Sequence, residues 1–230
     1  LRHEASDFRV DVAYEVARFE KEAGFSLHEN QIAAVKETIE NGVQIVTGGP
    51  GTGKTTIVKC ILKLFKDLGQ RVALCAPTGR AAKRLSQATG EEAKTIHRML
   101  DLDYKNGEGH FAYNENTRLP VDVVIVDEVS MVDEYVFSAL VNAMERGSRL
   151  VLVGDKDQLA SVGVGNVLND LIQCGKFNVS YLTQIYRQSD KSKIVTNAHR
   201  INSGVMPEID NKSSDFFFEE KNTSEEICAN

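Results

Sequence analysis

Between Gly48 and Thr55 the chain reads Gly-Gly-Pro-Gly-Thr-Gly-Lys-Thr, a fit to GxxxxGK[ST] placed after an apolar run and before a helical pattern. Glycines at this spacing permit a turn whose backbone N–H groups converge on a phosphate, and the helix start adds positive potential. Lys54 is expected to bridge β- and γ-phosphates, and the Thr55 hydroxyl to ligate Mg²⁺. The candidate nucleotide-holding residues are Gly48, Gly49, Pro50, Gly51, Thr52, Gly53, Lys54, Thr55 and Thr56.

A second constellation ends another apolar run at Val126-Asp127-Glu128. A carboxylate at the carboxyl end of a buried strand is where a metal-holding acid sits, which suits Asp127. The adjacent Glu128 suits a general base that polarises an attacking water. An N-cap pair for the following helix is the bland alternative. A third string, Gly154-Asp155-Lys156-Asp157-Gln158, brings the Gln158 amide into range of a γ-phosphate, although surface-turn chemistry explains Gly-Asp-x-Asp equally well. No Asn-Lys-x-Asp string occurs, so adenine is expected over guanine.

The charge is unevenly spread. From position 44 to 100 there are ten Lys/Arg against three acids, leaving −13 for the rest of a chain whose total is −6. A local basic stretch of this kind is an electrostatic footprint for phosphate or nucleic acid, or a set of solvated helix faces. Backbone amides and a hydroxyl after Pro77, with Arg80, Lys83 and Arg84, can hold nucleic-acid phosphates. His97 either contacts such a ligand or fills a core hydrogen bond, and for Phe111 and Tyr113 packing is favoured over base stacking.

These groups need a scaffold. Helical patterns cover 7–23, with Phe8, Val12, Val16 and Phe19 on one face, and a second helix starts at a Ser26/Glu29 capping box and ends at Asn41-Gly42. Apolar β-branched runs at 43–47, 72–76, 121–126, 150–153 and 179–182 alternate with helical patterns at 55–68, 80–89, 132–144 and 166–173. Near-continuous apolar strands alternating with helices predict an α/β fold with a central, mainly parallel sheet covered on both faces. Asn106-Gly107 between Tyr104 and Phe111 signals a hairpin within 101–120. The segment 201–230, with seven acids against two lysines around Phe216-Phe217-Phe218, reads as a short strand and an interrupted helix.

The motifs occur as an ordered series: Asn30-Gln31; GGPGTGKT; Ala76-Pro-Thr-Gly-Arg-Ala-Ala82; Thr95-Ile-His-Arg98; Asp127-Glu-Val-Ser-Met-Val-Asp133; Val153-Gly-Asp-Lys-Asp-Gln-Leu159; Leu182-Thr-Gln-Ile-Tyr-Arg-Gln188. In order and spacing it resembles superfamily 1 helicases of the RecD/TraA type, over about 27–202, and is similar to the first of their two RecA-like motor domains. The resemblance implies a P-loop NTPase fold of three layers, ATP with Mg²⁺, and ATP-driven 5′→3′ movement on single-stranded DNA that unwinds duplex in recombination and repair. It implies that Lys54, Asp127, Glu128, Gln158 and Arg187 serve hydrolysis, with Arg187 reaching the γ-phosphate and Gln31 contacting adenine. Pro77, Thr78, Gly79, Arg80, Thr95 and His97 resemble single-strand contacts, and the hairpin around Asn106-Gly107 resembles a strand-separating pin. The expected organisation is a linker helix (1–26), motor domain 1A (27–205) and an acidic extension (206–230) leading to a second RecA-like domain. Other nuclease or helicase subunits are possible partners.

Composition near the globular average excludes disorder, collagen and coiled coil for most of the 230 residues, and no apolar run approaches the ~18 residues of a membrane helix. Cys60, Cys75, Cys174 and Cys228 form no CxxC, which fits reduced thiols and a cytoplasmic setting. A first residue that is not Met suggests a segment of a longer chain. Two rival functions are weighed against the motor: a nucleotide-dependent regulatory switch, opposed by Asp127-Glu128, and a nucleic-acid-binding module with a vestigial ATP site, opposed by the intact Lys54 and Thr55.

Overall fold

The computed structural model describes residues 10–105, 108–184, 192–212 and 215–221. Its centre is a six-stranded sheet of β1 (Val43–Gly48), β2 (Val72–Ala76), β3 (Ala93–Thr95), β6 (Val123–Val126), β7 (Arg149–Gly154) and β8 (Asn178–Leu182). The strand order is β3-β2-β6-β7-β1-β8, and every pairing is parallel. Successive side chains on a strand face opposite ways, and the two cores follow that alternation. Val46, Val123, Ile125, Val151 and Val153 pack with α1 (Val12–Ala23), α2 (Glu29–Glu40), α3 (Lys54–Asp67) and α4 (Gly79–Thr89). Ile45, Val124, Val126, Leu150 and Leu152 pack on the other face with α5 (Ile96–Met99), α6 (Glu134–Ala143) and α7 (Val167–Gln173). This is the three-layer α/β arrangement of a P-loop NTPase, with helices on both faces of a parallel sheet.

Parallel strands need helical crossovers, so polar groups must close the helix ends inside the layers. Arg149, 3% exposed, donates from Nη1 to the carbonyls of Thr38, Ile39 and Asn41, and its guanidinium lies 6.0 Å from the Phe65 ring centre. It therefore closes the carboxyl end of α2 and pins it to the start of β7. Nearby, Gln44 Nε2 donates to Ser180 Oγ (2.8 Å) and Glu37 Oε2 (3.2 Å), joining α2, β1 and β8.

The expected strands and helices lie close to their predicted ranges, with three differences besides the unforeseen short helix α5. Helix α2 is capped by His28, not Ser26: His28 Nδ1 accepts from Asn30 N–H, and Gln31 Oε1 accepts from His28 N–H at 3.0 Å. Strand β3 was not foreseen, because three residues, Ala-Lys-Thr, at a sheet edge carry no apolar run. Beyond Asn202 the described residues form neither strand nor helix. Instead the Asn211 side chain pairs with the Phe218 backbone, donating to its carbonyl and accepting from its N–H, and so replaces a ladder. The linker helix α1 buries Val16 and Phe19 in the first core.

The hairpin forms as β4 (Leu102–Lys105) and β5 (Glu108–Phe111), antiparallel with Leu102 opposite Phe111; its turn, Asn106-Gly107, lies outside the described residues. The chain divides into two compact units, one up to Gly49 and from Gly53 to Thr183, the other of Pro50–Thr52 and Gln184–Asn230. The second unit contains α8 (Lys193–Asn202), in which Asn197 is buried and exchanges hydrogen bonds with the Glu208 backbone. No described helix is long and apolar enough to cross a membrane.

Arg149→Ala leaves the Thr38 and Ile39 carbonyls of α2 and that of its C-cap Asn41 without their donor and opens a void beside Phe65. The expected cost is about 2–4 kcal/mol of unfolding free energy, read from the urea midpoint at constant slope.

Candidate active site

Apart from Asn30-Gln31, which lies in α2, the chemistry-bearing strings of the first unit sit at or after the carboxyl ends of parallel strands. Gly48 closes β1, Pro77 follows β2, Thr95 ends β3, Asp127 follows β6 and Asp155 follows β7. They therefore meet at one edge of the sheet, where open α/β sheets place ligands.

At β1 the chain turns through Gly51 and Gly53, both left-handed (φ 76° and 84°), into α3. An L side chain there would be strained, which is the reason for glycine at these two positions. Gly53 is the N-cap of α3, and no side chain caps the helix start, so its first-turn N–H groups remain for an anion. Lys54 Nζ donates to the carbonyls of Gly48 (2.6 Å) and Gly49 (3.1 Å), holding its ammonium over the loop. Thr55 is exposed and Thr56 half-buried on the first turn, while Thr52 is buried. Pro50, Gly51 and Thr52 group with the second unit.

Asp127 leaves β6 with its N–H donated to the Cys75 carbonyl of β2 (2.9 Å), and its Oδ1 accepts from Glu128 N–H at 3.0 Å. Glu128 adopts left-handed backbone (φ 56°, ψ 41°), a strained conformation for a residue with a Cβ. Its Oε2 is buried and has no hydrogen-bond partner among the described residues. A buried carboxylate oxygen left unsatisfied on a strained turn is a site prepared for a ligand rather than a stabilising contact. Burial, then the Glu128 charge, pushes the Asp127 carboxyl up to about 6, against the pull of the Glu128 N–H, Lys54 and Arg84. A cation beside Asp127 would relieve the same cost, so the donor set fits Mg²⁺. Among the described residues no group of three or more His, Cys, Asp and Glu could hold a metal, so such an ion would share its ligands with phosphate oxygens.

The loop after β7 is tied to this turn. Ser130 Oγ donates to Gln158 Oε1 (3.1 Å), and Lys156 N–H donates to Thr47 Oγ1 of β1 (3.1 Å). Gly154 is required by packing: a Cβ would lie 2.9 Å from Leu168 Cδ2 and 3.3 Å from the Val129 and Ser130 nitrogens. The Ser130 and Thr47 hydroxyls were not singled out in the sequence, since a lone hydroxyl carries no spacing signal; Arg84, read there as a phosphate contact, instead contributes charge near Asp127.

Gln31 is 3% exposed and serves the α2 cap. Thr78 Oγ1 accepts from Ala81 N–H and Thr95 Oγ1 from Arg98 N–H, so both hydroxyls cap short helix starts at the edge. Pro77 and His97 are half-buried, and Gly79 and Arg80 are exposed. Arg187 lies outside the described residues. A polar cleft of about 730 Å³ at the opposite, amino-terminal edge is lined by arginines already engaged, Arg71 with Asp122 and Arg118 with the Asn142 and Met144 carbonyls.

The AAA domain family matches residues 26–220. The chain belongs to that family. It is also similar to the ATP-dependent RecD2 DNA helicase of Deinococcus radiodurans, 41% identical over 187 residues (81% of this chain, 25% of the relative). The RecBCD enzyme subunit RecD of Mycolicibacterium smegmatis is 39% identical over 202 residues (77% and 36%). The chain thus spans a quarter to little more than a third of these relatives. In structure it resembles the Pif1 helicase from Candida albicans (TM-score 0.58, 24% identity, 79% of this chain and 45% of that one), which supports the fold.

A carboxyl raised from 3.8 to about 6 is one whose ionised form opposes folding. Its cost is absent near pH 4 and complete above about pH 7. Asp127→Asn is expected to be more stable than the parent by about 2 kcal/mol at pH 8, with the gap closing toward pH 4. Denaturant melts at pH 4, 6 and 8 measure it, and an unchanged gap would refute the burial argument.

Proposed function

We propose that this chain is the ATP-binding motor domain of an ATP-dependent DNA helicase that moves 5′→3′ on single-stranded DNA and unwinds duplex in recombination and repair. The observation that carries the reading is the Asp127–Glu128 turn beside the glycine loop, where Glu128 sits in strained left-handed backbone and its buried Oε2 has no hydrogen-bond partner among the described residues. A domain that only bound nucleotide would have no use for the second acid. The names of the RecD-type relatives and the ordered motifs support the same direction.

In this reading the loop amides and Lys54 bind the phosphates, and Gln31 contacts adenine. Thr55 and Asp127 would hold Mg²⁺, which would supply charge neutralisation for the phosphates. Glu128 accepts the proton of the attacking water, and its fixed left-handed turn orients the carboxylate. Arg187 meets charge developing on the γ-phosphoryl group. Gln158, held by Ser130, passes the presence of the γ-phosphate to the loop after β7. Pro77, Thr78, Gly79, Arg80, Thr95 and His97 grip the strand, and the β4–β5 hairpin separates duplex. Movement requires two gripping surfaces whose separation changes with nucleotide, so a second RecA-like domain is the necessary partner, and further nuclease or helicase subunits fit the same assembly. The cytoplasm, where DNA and ATP meet, is the proposed compartment.

Glu128→Gln keeps size and hydrogen bonding but removes the base. It is expected to retain Mg·ATP affinity and lose turnover by about 10²-fold or more, by steady-state ATPase against nucleotide binding. Equal losses in both would assign Glu128 to metal binding instead. Single-strand affinity should fall with salt by about 0.7 log units per phosphate contact for each log unit of salt, and Arg80→Ala should flatten that slope. A salt-insensitive interaction would remove DNA from the reading.

A further inference from the structure

Three successive carbonyls of the glycine loop are held by side chains. Lys54 Nζ takes those of Gly48 and Gly49, and the third, that of Pro50, lies 3.3 Å from Nε2 of His199 on α8. A carbonyl can only accept, so His199 carries a hydrogen on Nε2 and donates it. Pro50 and His199 both belong to the second unit, and the contact is internal to it. The crest of the loop, Pro50–Thr52, thus groups with the α8 segment rather than with the strand and helix it joins in the chain.

One hydrogen bond at this carbonyl has a consequence for the next amide. A trans peptide sets its C=O and the following N–H in opposite directions, and among the described residues there is no cis peptide. Drawing the Pro50 carbonyl toward α8 therefore turns the Gly51 N–H away from α8. Pro50 has no N–H of its own, and Gly51 is left-handed at φ 76°. With glycine at 49 and 51, this peptide plane swings easily unless a donor holds it. The two side-chain holds also differ in what nucleotide does to them. In the reading above Lys54 turns to the phosphates and gives up part of its grip on Gly48 and Gly49, whereas nothing calls His199 away.

Helix α8 is built as a fixed point. At its start Ser192 Oγ accepts from Val195 N–H and Asp215 Oδ1 from Lys193 N–H. In its middle the buried Asn197 side chain donates to the Glu208 carbonyl (2.9 Å) and accepts from Glu208 N–H (2.8 Å). Near its end Arg200 Nε donates to the Met206 carbonyl (2.8 Å). Every partner lies in the same unit, so the helix that carries the half-buried His199 ring is tied along its whole length.

We propose that His199 is a positioning residue for the nucleotide site: by donating to the Pro50 carbonyl it holds the Pro50–Gly51 peptide in the orientation that offers the Gly51 N–H to a phosphate oxygen. The inference rests on the nucleotide reading above and adds a group outside the motifs that carry it. No spacing signal could reveal it, because His199 stands 149 residues from Pro50.

The test uses the 230-residue chain, Mg²⁺ with N-methylanthraniloyl-ADP as the nucleotide probe, and amide hydrogen exchange of the nucleotide-free protein. His199→Ala is expected to weaken nucleotide binding about 5-fold, the scale of one neutral hydrogen bond, and to speed exchange in 51–56 while 193–202 keeps its rate. His199→Gln, whose Nε2–H reaches about as far from the backbone, is expected to restore both. His199→Leu, which fills similar space without a donor, is expected to restore neither. If the Gln and Leu variants behave alike, or if exchange rises in 193–202 as much as in the loop, the histidine only packs and the proposal is overturned. If His199→Ala binds as the parent does while Lys54→Ala loses binding, the hold on Pro50 has no role and the nucleotide reading stands. If Lys54→Ala also binds as the parent does, the nucleotide reading itself falls, and the role of His199 with it.

Discussion

Parallel pairing governs this molecule. A parallel strand cannot return by a tight turn, so successive strands of the sheet must be joined by crossovers that pack on one face or the other. The strands are consequently buried on both sides, and alternate residues of β1, β6 and β7 divide between two separate cores. The same constraint delivers every strand's carboxyl end to one edge. Without that delivery, the glycine loop after β1, the acids after β6 and the Gln158 loop after β7 would be unrelated surface turns.

Holding the site costs stability in identifiable places. Glu128 sits in left-handed backbone, its Oε2 lacks a partner among the described residues, and Asp127 carries a charge that burial opposes. Each is tolerated because the surrounding sheet over-determines it: β6 is fully buried between β2 and β7, and the Asp127 N–H is taken by Cys75. At the far edge, engaged arginines such as Arg149 and Arg71 close helix ends and strand starts. One edge of the sheet is thus made rigid and satisfied, while the other is left strained and partly unsatisfied for a ligand.

Connections between loops matter as much as the loops themselves. Gly154 allows β7 to approach the 3₁₀ turn at Val129–Met131, Ser130 holds Gln158, and Gly163 lets the next loop press on Asp133. A change at Gln158 is therefore mechanically close to the start of α6, and through Tyr135 and Phe111 to the hairpin. Short loop contacts and one ring pair thus join the carboxyl-terminal edge of the sheet to the β4–β5 hairpin.

The sequence alone determined the parts of this protein that depend on local chemistry. The strand runs are β-branched and nearly unbroken, which only a sheet buried on both faces requires, and GxxxxGK[ST] between a strand and a helix leaves the backbone one sensible turn. It also carried Asp127, Glu128 and Gln158, because their positions at strand ends are a matter of counting. It did not carry β3, whose three polar-flanked residues become a strand only because β2 offers a free edge. Nor did it carry the His28 cap, where one imidazole outcompetes Ser26 by being next to the helix start. The Arg149 bridge spans more than a hundred residues, and the Tyr135–Phe111–His97 row joins three elements. Such pairings depend on how crossovers bring distant segments together, and only the tertiary structure decides that.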